Sequence, residues 1–126
     1  MYTDPYQYFG MLSAEMHRAI RLVVDTGIHA KGWSREQAIQ YSLDHEAESE
    51  ASITSEIERY MVGPGQALSY KIGQLKILEL RERAKEKLGD KFDIKKFHNQ
   101  VLNSGSLPLK VLERKIDGWI QNKLAK

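Results

Sequence analysis

The chain has no cysteine among its 126 residues, which excludes a disulfide framework and any thiolate metal site. It also lacks an apolar run approaching the ~18–20 residues that a membrane-spanning helix needs, and nothing at its start resembles a signal peptide. No stretch alternates apolar and polar residues for long enough to make a strand, and there is no internal repeat or low-complexity tract. Neither GxGxxG nor GK[ST] occurs, so no phosphate-binding loop is expected. Proline is scarce. Its three copies, Pro5, Pro64 and Pro108, each stand where a helix is expected to start.

Hydrophobic residues at 41% and charged residues at 29% give an ordinary soluble balance, and the expectation is one helical domain over 1–126. The net charge of +2 hides an asymmetry. Residues 1–63 carry five Lys/Arg against ten Asp/Glu, a balance of −5, and residues 64–126 carry fourteen against seven, a balance of +7. A basic half can point to nucleic acid. Here, however, the cations interleave with glutamates at helical spacing (Arg81-Glu82-Arg83-Ala84-Lys85-Glu86-Lys87), the pattern of a solvated helix face. No nucleic-acid partner is expected.

Apolar residues recur at helical spacing throughout. Asp4-Pro5 with Gln7 forms a start signal for a helix over about 5–27, carrying Phe9, Leu12, Met16, Ile20 and Val23, with Gly27 and Gly32 loosening the chain after it. Ser34 with Gln37 opens a second helix that ends near His45. The acidic segment 44–50 leads into a third, with Ile53, Ile57, Tyr60 and Met61 as its stripe. Gly63-Pro64-Gly65 breaks the chain and starts a fourth helix from Pro64 or Gly65 to Leu88, with Gly89 after its end. Asp93 caps a short fifth helix with Phe97, Val101 and Leu102, and Pro108 starts a sixth with Leu109, Leu112, Ile116, Trp119 and Leu124 inside. The expected fold is all-α, about six helices in an irregular bundle.

Few side chains offer chemistry. His45-Glu46-Ala47-Glu48-Ser49 begins like the zinc-binding HExxH, but Ser49 stands where the second histidine is required, so it reads as an exposed acidic loop. Asp25 and His29, at i and i+4, can form a carboxylate–imidazole pair in which the carboxylate fixes the tautomer; the plainer reading is a C-terminal histidine against the helix dipole. Gln66, Tyr70, Gly73 and Ile77 share one face of the fourth helix, either a site wall or a close helix contact, while Leu68, Ile72 and Leu75 form an aliphatic face expected to pack within the chain. Tyr70 could donate its phenol to a carbonyl, with Arg59 or Lys71 gripping an anion; the plainer reading is a buried tyrosine and a solvated lysine. Trp33 and Trp119 read as packing residues.

Several stretches together resemble the C-terminal part of a bacterial family, domain of unknown function 885. They are Asp4-Pro5-Tyr6, Leu12-Ser13-Ala14-Glu15, Arg21 to His29 (RLVVDTGIH), Gly32-Trp33-Ser34, Glu58-Arg59-Tyr60, Gly63 to Gly73 (GPGQALSYKIG), Phe92-Asp93 and Phe97-His98. The resemblance implies a larger, mostly helical protein of zinc-metallopeptidase type whose His-Glu metal motif lies upstream and is absent here. On that reading the chain is a C-terminal fragment, Met1 is an artificial start, and the fragment alone is inactive. No cofactor belongs to the fragment itself; zinc is implied for the parent. The resemblance further implies catalytic roles for His29 and Tyr70 as donors to the scissile carbonyl, with Asp25 orienting His29, and substrate-binding roles for Arg59, Gln66 and Lys71. Its implied partners are the missing N-terminal catalytic portion and a peptide substrate, with possible self-association through an exposed face, and the parent is expected in the cell envelope or periplasm. The competing reading is a non-catalytic helical interaction module.

Overall fold

Asp4, Ser34, Ser49 and Asp93 each stand in extended backbone just ahead of a helix, and each accepts an N–H from that helix's first turn. At Ser34 the box is reciprocal: Gln37 N–H donates to its hydroxyl at 3.2 Å, and Ser34 N–H donates to Gln37 Oε1 at 2.9 Å. In this computed structural model, which describes residues 2–125, six helices follow: α1 (Pro5–Lys31), α2 (Arg35–His45), α3 (Glu50–Val62), α4 (Leu68–Leu88), α5 (Ile94–Leu102) and α6 (Leu109–Leu124). A 3₁₀ turn, Gly89–Lys91, precedes α5, and no strand occurs among the described residues. The fold is all-α.

Two boundaries differ from expectation, each for a local reason. Helix α1 continues past Gly27 because that glycine is packed, not loose: a Cβ there would stand 2.4 Å from Cε3 of Trp33. The true stop is Gly32, left-handed at φ 69°, after which Trp33 N–H donates to the Gly27 carbonyl at 2.9 Å. Helix α4 begins at Leu68, not at Pro64 or Gly65. Residues 63–67 form successive turns, with Gly65 at φ 78° and bonds from Gln66 N–H to Gly63 O and from Leu68 N–H to Gly65 O.

The chain forms two compact units, one up to Ile72 and one from Gly73. In the first, α1, α2 and α3 close on Ile20, Val24, Ala38, Ile53, Ile57, Tyr60 and Ala67. In the second, α5 packs on α6, and the core joins Leu80, Ala84 and Leu88 of α4 to Phe97, Leu112, Ile116 and Ile120. Arg83 bridges within this unit, donating to Asp117 at 3.1 Å and Glu113 at 2.8 Å.

Three apolar expectations are corrected. Leu102 and Leu124 lie in the last turns of α5 and α6 and are exposed. Ile72 and Leu75 are 45% and 51% exposed, so of the aliphatic face only Leu68 is partly buried; the buried stripe of α4 is Leu80, Ala84 and Leu88, at i, i+4 and i+8 further along. No described helix is long and apolar enough to cross a membrane.

Candidate functional site

Four candidate residues meet where the 63–67 turn comes back against α1 and α3. The N–H of Gly65 lies 3.1 Å from each carboxylate oxygen of Asp25, which is 2% exposed. This bond holds the turn, and with it Gln66, against α1. Arg59, three residues from the end of α3, donates its Nη1 to Gln66 Oε1 at 2.8 Å. Gln66 in turn reaches the Tyr70 hydroxyl at 3.5 Å, the outer limit of a hydrogen bond.

Behind this row stands a residue that sequence reasoning missed. Glu56 Oε2 accepts from Arg59 Nη2 at 2.7 Å, Arg21 Nη2 at 2.8 Å and the Tyr60 hydroxyl at 2.7 Å, while Oε1 accepts from Arg59 Nε at 3.1 Å. The Arg59 bonds, helped by those from Tyr60 and Arg21 and opposed by desolvation, push the Glu56 carboxyl down to about 2. Burial, together with the hydrogen bond to Glu56, pushes the Tyr60 hydroxyl up to about 12 against the opposing effect of Arg21. Burial works against the Arg21 charge, but its bonds to Glu56 and Tyr60 outweigh that and raise its pKa. The Arg21 guanidinium also lies 5.0 Å from the Tyr70 ring centroid, so Tyr70 rests on a fixed cation.

The other candidates are placed differently. Asp25 does not orient His29: its carboxylate is engaged by Gly65, and His29 Nε2 lies 2.9 Å from the Tyr60 carbonyl. A carbonyl only accepts, so Nε2 carries the hydrogen, and the neutral ring offers Nδ1 as a bare acceptor. His29 can donate elsewhere only as imidazolium. Lys71 is paired with Glu15 at 2.9 Å, its side chain only 18% exposed. His45 closes α2, with Nδ1 2.7 Å from the Tyr41 carbonyl and its ring stacked on Tyr41 at 4.1 Å.

A second cluster that sequence reasoning missed sits beside Glu56. His17 Nδ1 is 2.5 Å from Glu46 Oε2, and its Nε2 is 3.8 Å from Glu56 Oε2. The enclosed space among His17, Arg21, Ser42, Glu46 and Glu56 measures about 10 Å³, room for no more than a water molecule. The spacings Glu56–Arg59 and Glu56–Tyr60, at i+3 and i+4, were visible signals of a helical ion cluster. The partner Arg21 lies 35 residues away, which no local pattern reveals.

Among the described residues no three His, Cys, Asp or Glu side chains converge so as to hold a metal ion.

Comparison with known proteins agrees with the motif blocks. The family described as bacterial protein of unknown function (DUF885) matches residues 1–116. The chain belongs to the DUF885 family. A crystal structure from Colwellia psychrerythraea, described as that of a "putative lipoprotein", is 54% identical in sequence and superposes with a TM-score of 0.94. The match covers 97% of this chain and 21% of that one, so the chain spans about a fifth of that relative's length. No curated protein matches it.

Proposed function

We propose that this chain is the C-terminal helical part of a zinc-dependent peptidase-type protein, and that it contributes a substrate-binding wall. The observation that carries the proposal is the row Arg59–Gln66–Tyr70 held rigid by Glu56 and Arg21. Two guanidiniums around one carboxylate leave a single positive charge, suited to a peptide carboxylate or a polarised carbonyl. The Tyr70 phenol, 49% exposed, is the free donor of the row and would bond the substrate carbonyl oxygen. Gln66 and Asp25 position it through the turn. Lys71, already paired with Glu15, is the weaker substrate contact, and His29 would contribute only as imidazolium. The metal chemistry of such a protein would come from residues outside this chain.

The name of the Colwellia relative supports an envelope location for the longer protein. Tyr70→Phe in the full-length protein tests the reading. Loss of such a donor should lower kcat/KM by about 10²-fold with metal content unchanged. An unchanged kcat/KM at unchanged metal content removes the phenol from the mechanism.

One observation favours the second reading, a non-catalytic interaction module. Arg59, Asp25, His29 and Lys71 all have partners within the chain, as structural residues do. A full-length protein that binds no zinc and hydrolyses no peptide would decide for it.

A further inference from the structure

Helix α1 carries an apolar strip that its own unit leaves uncovered. Phe9, Leu12 and Met16 fall at i, i+3 and i+7 and are 61%, 47% and 51% exposed. With His45, the last residue of α2, and Ala47 just beyond it, they line an open groove of about 220 Å³. That spacing is the one by which a helix offers a continuous seam to another helix. Three neighbouring large apolar side chains left in water on one seam mark an interaction surface, whereas single ones need no explanation.

We propose that this groove is the seat on which the rest of a full-length DUF885 chain packs. The same fold occurs at a TM-score of 0.94 as 21% of the Colwellia protein, so most of that polypeptide lies outside the matched part and is at hand to cover an apolar face. Charge argues against the alternatives. Residues 1–63 carry a balance of −5, although Glu46, which borders the groove, is itself turned to His17 with its side chain only 5% exposed. A second copy would set two acidic faces together, and an anionic lipid surface would be repelled. An apolar helix of the same polypeptide meets neither penalty. The inference concerns packing and stands whether or not the whole protein is a peptidase.

The test places one substitution in two contexts. Leu12→Asp and Met16→Asp are made in this chain and at the aligned positions of the intact Colwellia protein. In this chain the side chains already face water, so Tm should move by less than about 2 °C; in the intact relative it should fall by more than about 5 °C. Amide hydrogen exchange over residues 9–16 should likewise be slower in the intact relative. Equal small shifts in both contexts, with equal exchange, overturn the proposal. So does a dimer of this chain that Met16→Asp dissociates in analytical ultracentrifugation, which assigns the groove to a second copy. Binding to phosphatidylglycerol vesicles that is lost in Met16→Asp overturns it too, in favour of a lipid surface.

Discussion

Asp25 and Gly65 are 40 residues apart, yet the glycine's N–H sits 3.1 Å from both oxygens of the buried carboxylate. A backbone donor shared between two carboxylate oxygens fixes the turn that carries Gln66 and leads into Tyr70. Asp25 therefore acts on the candidate site through the backbone, not through His29.

Removing that anchor has a defined cost. Asp25→Ala removes the buried, charged acceptor of the part-buried Gly65 N–H bond and should destabilise the chain by about 1–3 kcal/mol, read from urea midpoints. Asp25→Asn keeps one acceptor and should fall between wild type and Ala. If Asp25→Ala unfolds at the wild-type midpoint, the bond does not hold the turn.

Glu56 predicts an acid limb. Its carboxyl releases its proton near pH 2 in the folded chain, against 4.5 for an ordinary glutamate. Between those values the unfolded state binds more protons, so stability rises with pH. The contribution is therefore complete above about pH 4.5 and is lost as pH falls towards 2. The group is partly solvated, and screening reduces its worth to on the order of 1 kcal/mol. Glu56→Gln should lower Tm at pH 7 and flatten the decline between pH 4.5 and 2. A decline as steep as wild type would show that other carboxylates dominate it.

Gly27→Ala should be destabilising although Gly27 lies within a helix, where alanine is normally favoured. The added methyl meets Trp33 at 2.4 Å, so the indole must shift, at about 1–3 kcal/mol. A lower Tm together with a changed Trp33 emission is expected; a Tm at or above wild type contradicts the packing.

Much of the fold was legible locally. Ser34 with Gln37, Asp4 before Pro5, and Asp93 each marked a helix start that the backbone adopts. What failed was long-range. Gly27 looked like a break until Trp33 was laid against it, and Ile72 and Leu75 looked like core although each is about half exposed. At the candidate site, the motif block gave Arg59, Gln66 and Tyr70, which do converge. The partner of Asp25 was misread because i, i+4 spacing permits a pair without requiring it, and Gly65 competes with a backbone N–H. Glu56 escaped notice because its importance lies in how many donors reach it from α1 and α3.

That sharing has a consequence for how the cluster responds to mutation. Arg21, Arg59 and Tyr60 all donate to one carboxylate, so each lowers the worth of the others. Free energies from single substitutions will not sum to that of the triple variant, and a double-mutant cycle between Arg21 and Arg59 should close with a clear residual, although the two arginines sit on different helices. No one of these side chains owns a fixed share of the site's rigidity; the group behaves as one unit of selection and tolerates change at one position only while the remaining donors stay in place.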